Sequence, residues 1–462
     1  MTLIKSISGI RGTIGGLQGD SLSPVDMVRF TAAFGALLKS KHRKSVYTVV
    51  IGRDARISGE MASMLVSGTL MGMGIHVIDL GLAATPTVEM GVTYHKADGG
   101  IILTASHNPG HWNALKLLNE AGEFISAAEG AELLTLAASD TIEFSTAEEL
   151  GKLTRFDKMD DIHINATLGM KYVDTEAIRQ AGFKVVIDCV NSVGGIVLPK
   201  LLKRLGVNDI VPLYCNPTGI FPHNPEPLPM HLGDISQEII KHNADVGFVV
   251  DPDVDRLVIV NEDGSMFGEE YTLVAVADFI LSQQPGNTVS NLSSTRALSE
   301  VTRKFGGSYS ASPVGEVNVV AEMKKTGAVI GGEGNGGIIY PGLHYGRDAL
   351  AGIALFLTHL ARSGKKCSEL RQSYPDYYNS KNKIELKPGI DIDRLMLAVR
   401  ERYRNFPVND QDGIRIDFDR EWVHLRKSNT EPIIRIISES TSPEKAEALA
   451  FKLIREIHEL ID

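Results

Sequence analysis

The sequence has 462 residues, with 47 basic and 57 acidic side chains and a formal charge of -10. At roughly 150 residues per domain, this length predicts about three domains and excludes a single hydrophobic core. The acidic balance argues against nucleic-acid binding, and the shares of hydrophobic (43%) and charged (23%) residues exclude disordered and fibrous proteins.

The cellular compartment is predicted from the cysteines and from the distribution of apolar residues. The three cysteines, Cys189, Cys215 and Cys367, are widely separated and form neither a disulfide framework nor a CxxC metal site. Residues 1–16 lack the apolar core of a signal peptide, and no apolar run reaches the roughly 18 residues of a membrane span. We therefore expect a cytoplasmic protein without membrane contact.

The first part of the chain alternates helix-like and strand-like segments. Ser23-Pro24 predicts the start of a helix that runs to about Lys39, because serine caps helices and proline suits the first helical position. Short apolar runs at 48–51, 76–80 and 100–103 are typical of buried parallel strands. This alternation predicts an α/β domain.

Two further regions complete the organisation. Strands are predicted at 184–188, 210–214, 246–250 and 257–260, with helices at 197–205 and 235–242, and a further α/β region then runs to about residue 372. The C-terminal part differs, because strands at 413–418 and 433–437 precede a helix that begins at Ser442-Pro443. We expect that helix to pack one face on a small sheet.

A serine stands directly after the strand at 100–103. In Thr104-Ala105-Ser106-His107-Asn108-Pro109 it occupies the edge where α/β sheets bind ligands, and Pro109 restricts the residue before it. Ser106 is therefore placed to act as a nucleophile. The flanking residues are not those of a hydrolase nucleophile elbow, and the alternative is an ordinary polar turn.

Three carboxylates occupy alternate positions of one loop after the strand at 246–250. Asp251, Asp253 and Asp255 can converge on a hard cation, for which oxygen ligands suit Mg²⁺ or Ca²⁺. An EF-hand is excluded, because Arg256 stands where that loop needs glycine and a strand follows. The alternative is a solvated acidic turn, which the buried strand before it makes less favourable.

Five glycines fall within residues 331–337. Gly332, Gly334 and Gly337 satisfy the dinucleotide pattern GxGxxG, but Pro341 comes too soon for the helix that this motif needs. The segment is instead typical of a loop that a ligand approaches closely, with Glu333 able to accept two hydroxyl hydrogen bonds. It predicts sugar recognition, and the alternative is a flexible turn.

A phosphate-binding segment is predicted at residues 426–432. Arg426, Ser428, Asn429 and Thr430, with Arg435 nearby, provide the guanidinium groups, hydroxyls and amides that hold phosphates. The alternative is a structural turn before the next strand.

Together these motifs resemble the α-D-phosphohexomutase superfamily, which includes phosphoglucomutases, phosphomannomutases and phosphoglucosamine mutases. The resemblance covers nearly the whole chain. It includes four further motifs, namely Gly9-Ile10-Arg11-Gly12, Gly52-Arg53-Asp54 with Arg56 and Ser58-Gly59, Asn113 with Lys116, and Gly346-Arg347-Asp348.

The resemblance implies a phosphoserine enzyme that converts hexose 6-phosphates to hexose 1-phosphates through a bisphosphate intermediate. It implies one Mg²⁺ held by Ser106, Asp251, Asp253 and Asp255, and a hexose 1,6-bisphosphate as activator. The implied catalytic residues are Ser106, Arg11, His107, Lys116 and Arg256. The implied substrate-binding residues are Glu333, Asn335, Arg347, Arg426, Ser428, Asn429, Thr430 and Arg435.

The sequence departs from many bacterial relatives at Asn335, Gly336 and Gly337, where they carry Ser-Gly-His. That histidine is absent as an acid or base, so Lys116 or His107 is the candidate for proton transfer. Because an Asn at this position recurs in acetylglucosamine-phosphate mutases and archaeal enzymes, we expect glucosamine phosphate as substrate. The alternative is a phosphomannomutase/phosphoglucomutase of broad hexose specificity.

Two other classes remain open from the residues alone. Asp253 could be the nucleophile, as in aspartyl-phosphate mutases, or the protein could bind a sugar phosphate or Ca²⁺ without catalysis. The hexose phosphate is the expected partner, without nucleic acid or membrane, and the chain is expected to be a monomer or homodimer.

With these motifs the expected fold becomes three similar α/β domains with mixed sheets and a smaller C-terminal α+β domain around a central cleft. The expected boundaries are 1–155 with the phosphoserine loop, 156–262 with the metal loop, 263–375 with the sugar loop, and 376–462 with the phosphate-binding loop.

Overall fold

The computed structural model of the chain describes residues 2–6, 9–41, 44–139, 141–385, 390–427 and 433–461. The strands are β1 Ile4–Ser6, β2 Gly9–Thr13, β3 Tyr47–Arg53, β4 Ile75–Leu82, β5 Gly99–Leu103, β6 Trp112–Leu118, β7 Leu153–Arg155, β8 Lys184–Asp188, β9 Asp209–Leu213, β10 Val246–Val250, β11 Leu257–Asn261, β12 Thr288–Asn291, β13 Tyr309–Ser312, β14 Ile330–Glu333, β15 Gly337–Ile339, β16 Tyr378–Glu385, β17 Val408–Asn409, β18 Ile414–Asp417, β19 Trp422–Lys427 and β20 Ile433–Ser440.

The helices are α1 Pro24–Lys41, α2 Gly59–Gly72, α3 Thr85–Tyr94, α4 Ala127–Ala138, α5 Met159–Leu168, α6 Thr175–Ala181, α7 Gly194–Leu205, α8 Gly233–His242, α9 Glu269–Gln283, α10 Ala297–Lys304, α11 Glu316–Thr326, α12 Ala349–Ser363, α13 Cys367–Gln372, α14 Ile392–Arg402 and α15 Pro443–Ile461. Short 3₁₀ turns lie at Ala147–Glu149 and Pro229–His231. No helix in these ranges is long and apolar enough to cross a bilayer.

The first sheet has the order β1-β2-β6-β5-β3-β4-β7. Strands β4, β3 and β5 run parallel, as predicted for the runs at 48–51, 76–80 and 100–103, while β5 and β6 are antiparallel. The hairpin strand β6 was not predicted as a strand. All five residues of β5 are buried, so its carboxyl end presents the segment around Ser106 on a rigid edge.

The second sheet has the order β11-β10-β8-β9. Strands β9, β8 and β10 are parallel, and β11 returns antiparallel to β10. Helix α8 contributes Ile235 and Ile239 to the core of this sheet, next to Val249 and Val258. The β10–β11 connection holds Asp251, Asp253 and Asp255 at one edge of the sheet, and the strand β11 confirms that this loop is not an EF-hand.

In the third sheet, β12 lies between β13 and β14 and is parallel to both. The C-terminal sheet has the order β16-β20-β19-β18-β17 and is antiparallel throughout. Helix α15 packs on it through Leu449, Ala450, Leu453 and Ile457, which confirms the predicted amphipathic helix.

The chain divides into two compact units, one of residues 1–279 and 335–371 and the other of residues 280–334 and 372–462. The fold class is confirmed, with three α/β domains containing mixed sheets and a smaller C-terminal domain.

Candidate active site

Ser106 lies just beyond the carboxyl end of β5 in a strained main-chain conformation. Its φ is 49°, in the left-handed region that residues other than glycine seldom adopt. The main-chain N–H of Ser106 donates to the Thr104 hydroxyl at 2.9 Å. Since the side chain is almost fully buried, the loop presents the hydroxyl to a confined space.

The buried guanidinium of Arg56 holds the serine loop in this conformation. Its Nε donates to Oδ2 of Asp54 at 2.9 Å, and the ring of Phe221 lies 5.1 Å from the guanidinium carbon. Its two terminal nitrogens donate to four main-chain oxygens of the loop, those of Ser106, Asn108, Pro109 and Trp112. One buried side chain therefore supplies hydrogen bonds to four main-chain oxygens of the loop.

The three aspartates after β10 converge. One carboxylate oxygen from each of Asp251, Asp253 and Asp255 lies within 4.8 Å of the other two, and all three residues are fully buried. Between them Val254 has a φ of 62°, which is an outlier for a β-branched residue. The strained turn places all three carboxylates on the same side, as the alternate spacing predicted.

The serine and the aspartate cluster are in direct contact. The Ser106 hydroxyl donates to Oδ2 of Asp251 at 2.6 Å. Oδ1 of Asp253 and Oδ1 of Asp255 are buried without a hydrogen-bond partner among the described residues. Buried carboxylate oxygens without donors are costly, so this set of oxygens fits a hard divalent cation.

Basic side chains surround the carboxylates. Lys116 Nζ lies 2.7 Å from Oδ2 of Asp253 and 3.4 Å from Oδ2 of Asp255. Arg347 Nη2 donates to the same Asp255 oxygen at 2.7 Å. Lys116 on β6 and Arg11 on β2 share one face of the first sheet, because Arg11 pairs with the residue two positions before Lys116.

Arg256 provides a further donor to this site. Its main-chain N–H donates to Oδ1 of Asp251 at 3.2 Å, and its Nε lies 3.9 Å from Oδ1 of Asp255. That Nε is buried and has no hydrogen-bond partner in the part of the chain that the structure describes. It is therefore available to an anionic ligand.

The pKa shifts of Lys116 and His107, the two candidates for proton transfer, have opposite directions. Burial lowers the pKa of Lys116, but the charges of Asp253 and Asp255 outweigh it and raise this pKa above its usual value. Burial, with the charges of Arg256 and Arg11, holds the pKa of His107 well below its usual value. At neutral pH the lysine is therefore a cation and the imidazole is neutral.

The aspartates are also differentiated. Burial, then the charges of Asp255 and Asp253, raise the pKa of Asp251 well above its usual value. Burial raises the pKa of Asp253 as well, but Lys116 overrides it and holds this pKa below the usual range. A cation at this site would favour the ionised form of all three carboxylates.

Asn335 and Arg347 belong to the same compact unit as these residues. The side-chain oxygen of Asn335 accepts a hydrogen bond from the Gly337 main chain at 3.2 Å, so it shapes the turn before β15. No helix follows this turn directly, which agrees with the rejection of a dinucleotide fingerprint.

Glu333 lies in the second unit at the end of β14. Its Oε1 accepts from Asn291 Nδ2 at 2.9 Å and from the Gly315 main chain at 3.1 Å. The glycine segment was predicted as a loop throughout, but Gly331 to Glu333 belong to β14 and the turn is shorter. The glycines of this strand let neighbouring groups approach, because a Cβ on Gly331 would lie 2.8 Å from the Val289 oxygen.

The two arginines of the predicted phosphate-binding segment are neighbours in the C-terminal sheet. Arg426 on β19 is paired directly with Arg435 on β20, so both side chains lie on one face. Asp412 accepts from Arg426 Nε at 2.9 Å. The two guanidinium groups give this face of the sheet positive charge that can attract an anion. Ser428, Asn429 and Thr430 lie outside the described residues.

Thr85 and the role of Arg56 are not predicted from the sequence. Thr85 is the first residue of α3, and its hydroxyl donates to Oδ2 of Asp253 at 2.6 Å. Its main-chain N–H donates to the main-chain oxygen of the same aspartate. Thr85 could have been found from its position, because it is a polar residue just after β4 and lies at the same sheet edge as Ser106. Nothing in the sequence distinguishes Arg56 as an arginine with almost no exposed surface.

Four domain families with the description "Phosphoglucomutase/phosphomannomutase" match the chain in order. Alpha/beta/alpha domain I matches residues 3–142, domain II residues 162–264, domain III residues 268–378, and the C-terminal domain residues 385–456.

Curated relatives and solved structures match over nearly the whole length. A phosphoglucomutase/phosphomannomutase of Thermococcus kodakarensis is 34% identical over 96% of this chain and 98% of its own. A probable phosphoglucosamine mutase of Methanopyrus kandleri is 32% identical over 96% of this chain and 95% of its own. A crystal structure of a phosphoglucomutase/phosphomannomutase family protein from Burkholderia thailandensis has a TM-score of 0.85 at 26% identity, over 99% of this chain and 98% of its own.

Proposed function

The chain belongs to the phosphoglucomutase/phosphomannomutase family of α-D-phosphohexomutases, and we propose that it converts glucosamine 6-phosphate to glucosamine 1-phosphate through phosphorylated Ser106. The family makes it an isomerase that acts as an intramolecular phosphotransferase. The observation that carries the proposal is the strained, buried Ser106, whose hydroxyl lies 2.6 Å from Asp251 and next to the converged carboxylates.

The donor set of the aspartate cluster fits Mg²⁺. Asp251, Asp253 and Asp255 supply the oxygens, and Ser106 or its phosphate completes the set. When bound, the cation neutralises charge on the phosphate that Ser106 holds. The protein itself limits the repulsion among the carboxylates with Lys116, which remains positively charged beside Asp253.

The transferred phosphoryl group needs positive charge around its oxygens, because phosphoryl transfer depends mainly on positioning and electrostatics. We assign this role to Arg11, Arg256 and Lys116. Arg256 is the best placed, since its Nε is buried without a hydrogen-bond partner in the described ranges. Arg347 fixes Asp255 and contributes to substrate binding from the same unit.

We assign proton transfer at the serine to His107. Its Nδ1 lies 3.4 Å from the Ser106 hydroxyl, and its low pKa leaves the imidazole neutral and able to accept a proton. When Ser106 takes a phosphoryl group from the sugar bisphosphate, the Oγ–P bond forms and the bond between that phosphorus and the sugar oxygen breaks. The hydroxyl proton of Ser106 passes to Nδ1, and the sugar oxygen leaves as a hydroxyl after taking up a proton. Lys116 is a poorer acceptor, because the two aspartates stabilise its charged form.

The roles of the second unit follow the sequence motifs. We assign sugar hydroxyl recognition to Glu333 and binding of the non-reacting phosphate to Arg426, Arg435 and the segment 428–430. The paired arginines on β19 and β20 support an anion site on that face. A hexose 1,6-bisphosphate is the expected intermediate and activator. It reorients between the two transfer steps, so that each of its phosphates in turn lies next to Ser106. The domain boundaries 1–155, 156–262, 263–375 and 376–462 remain part of this proposal.

The choice of glucosamine rests on Asn335, supported by relatives named as phosphoglucosamine mutases at 30–33% identity. The second candidate is a mutase of broad hexose specificity, favoured by the relative named phosphoglucomutase/phosphomannomutase at 34% identity. Initial rates on glucosamine, glucose and mannose 6-phosphates with Mg²⁺, with and without hexose 1,6-bisphosphate, separate the two. Equal rates on all three sugars would overturn the glucosamine assignment.

The mutase mechanism is tested by intact mass and by substitution. Part of the purified protein should be heavier by one phosphate, the increment should be absent in Ser106→Ala, and this variant should lose turnover. The phosphoenzyme should survive hydroxylamine, whereas an acyl phosphate on Asp253 would be cleaved. Full activity of Ser106→Ala, or a hydroxylamine-labile phosphate, would contradict the phosphoserine mechanism.

A further inference from the structure

A second cluster of potential metal ligands lies in the first unit and is separate from the aspartate loop. It consists of His163 on α5, His344 in the loop after β15, and Asp348 at the start of α12. His163 Nε2 lies 2.9 Å from Oδ2 of Asp348, and His344 Nε2 lies 3.2 Å from the same oxygen. Three ligand atoms thus lie within 4.8 Å of one another.

Both imidazoles direct their other nitrogen to a partner outside the cluster. His163 Nδ1 lies 2.9 Å from the hydroxyl of Thr87, and His344 Nδ1 lies 3.4 Å from Oε2 of Glu89. Thr87 and Glu89 stand on the same helix, α3. In metal sites a ligating histidine donates its second N–H to a carboxylate or another oxygen, which fixes the ring and the tautomer. His163 has such an oxygen partner in the Thr87 hydroxyl, and the Glu89 carboxylate lies within ion-pair distance of His344.

When Nδ1 is the protonated nitrogen of each ring, each Nε2 presents a lone pair to the same carboxylate oxygen. Three electron-rich atoms then face a common point, and a cation between them relieves their repulsion. The observed separations of 2.9 and 3.2 Å are close to the roughly 3.3 Å between ligand atoms of a tetrahedral Zn²⁺ site. The third separation, between the two imidazole nitrogens, is within 4.8 Å, so one ion can reach all three ligand atoms.

Asp348 is fixed in place by the helix that it caps. Its Oδ1 accepts from the main-chain N–H groups of Leu350 and Ala351, at 2.8 and 3.2 Å. Its Oδ2 is therefore the oxygen left for the histidines. Gly346 makes room for the outer carboxylate, because a Cβ there would lie 1.9 Å from Oε2 of Glu89.

We propose that His163, His344 and Asp348 form a binding site for a divalent transition-metal ion, with Zn²⁺ as the best match. Two imidazoles and one carboxylate suit Zn²⁺ and not Mg²⁺, which takes oxygen ligands. His163 and Asp348 are buried, whereas the His344 side chain is 14% exposed and provides an entry path. A water molecule completes the four ligands.

The proposed site lies beside two segments that also hold the aspartate loop. Helix α3 carries Thr85, which donates to Asp253, and Asp348 directly follows Arg347, which donates to Asp255. The ion therefore has a positioning role for the active site, and it does not touch the reacting groups.

The test measures metal content, not mutase activity. Tag-free protein is stripped with a chelator, supplied with Zn²⁺ in the presence of excess Mg²⁺, and passed through gel filtration before elemental analysis. About one equivalent of Zn²⁺ should be retained, and Co²⁺ in its place should give the visible absorption of a four- or five-coordinate ion. Asp251→Asn should retain the Zn²⁺, because it changes only the other site.

Substitutions locate the ion. His344→Gln, at the partly exposed position, should lose the retained Zn²⁺ and the Co²⁺ spectrum, while His231→Gln should keep both. Glu89→Gln should weaken Zn²⁺ binding by roughly tenfold or more but keep the Co²⁺ spectrum, as expected for a group that acts through His344. The proposal would be overturned if the wild-type protein retained no Zn²⁺, or if a folded His344→Gln variant bound Zn²⁺ equally well. Hydrogen bonds alone would then hold the three side chains together.

Discussion

Arg56 Nη2 donates a hydrogen bond to the main-chain oxygen of Ser106 at 2.5 Å, so a buried guanidinium fixes the residue that we propose as nucleophile. The same side chain bonds the oxygens of Asn108, Pro109 and Trp112. A left-handed serine persists only where the surroundings hold it, and the Arg56 hydrogen bonds are part of that support.

Arg56→Lys should lower kcat by about 100-fold, because an ammonium group cannot reach the four carbonyls and the serine loop would move. Arg56→Ala should in addition destabilise the protein by about 3–5 kcal/mol, since Asp54 would remain buried without its partner. Steady-state kinetics and urea unfolding measure the two effects. Arg53→Lys, which changes a neighbouring arginine, serves as the control. Wild-type kcat in Arg56→Lys would show that the loop is held by other contacts.

Thr85→Val should weaken Mg²⁺ binding by about tenfold, as is usual when an outer hydrogen bond to a metal ligand is removed. The substitution keeps the shape of the side chain but removes the hydroxyl that donates to Asp253 at 2.6 Å. The Mg²⁺ concentration that gives half-maximal turnover reports the change.

The control is Thr93→Val on the exposed end of the same helix, where the hydroxyl donates to the main-chain oxygen of Met90. This variant should keep the wild-type Mg²⁺ dependence. If Thr85→Val needs no more Mg²⁺ than Thr93→Val, the Thr85 hydroxyl has no part in orienting Asp253.

The sequence predicted the strands that precede Ser106 and the three aspartates, but not the contacts between these segments. Ser106 and Asp251 each come just after a buried strand, β5 and β10. Residues at the carboxyl ends of such strands lie at the edges where α/β sheets bind ligands. The 2.6 Å contact between Ser106 and Asp251 joins residues 145 positions apart and depends on how two sheets pack, which no local pattern encodes.

The burial of charged and titratable side chains also could not be predicted from the sequence. Arg56 has only 1% of its surface exposed, yet arginines are mostly exposed and nothing near it in the sequence marks the exception. Likewise His163 and His344 are 181 positions apart, and only the packing of α5 beside the start of α12 brings them to one carboxylate.

His223 should make the stability of the protein depend on pH above about 6.5, the usual pKa of a histidine. Burial lowers its pKa, but the hydrogen bond and charge of Asp188, 3.0 Å away, outweigh it and raise the pKa above the usual value. This contribution is complete below the unfolded pKa of about 6.5 and is lost as the pH rises through the higher folded value. We expect a loss of roughly 0.5 kcal/mol.

Unfolding by urea at a series of pH values from 6 to 9 measures the effect. His223→Gln should remove this part of the pH dependence, whereas His231→Gln in the same region should keep it. A wild-type stability profile that matches His223→Gln across this range would rule out the His223–Asp188 pair as its source.

Asp251→Asn should stabilise the metal-free protein while abolishing turnover. Burial and the charges of Asp255 and Asp253 raise the pKa of Asp251, so the ordinary carboxylate is unfavourable in the fold without a cation. An amide removes that charge and can still bond the Ser106 hydroxyl, which accepts as well as donates. The gain in chelator should be about 1–2 kcal/mol at pH 7.

The gain should grow as the pH rises above about 3.9, because the unfolded Asp251 then loses its proton while the folded form, with its raised pKa, resists doing so. Added Mg²⁺ should reverse the order by stabilising only the wild type. Asp263→Asn is the matched control, since hydrogen bonds from Ser265 lower the pKa of that carboxyl and its loss should destabilise the protein. If Asp251→Asn is the less stable protein in chelator, Asp251 is not under the repulsion that the three buried carboxylates imply.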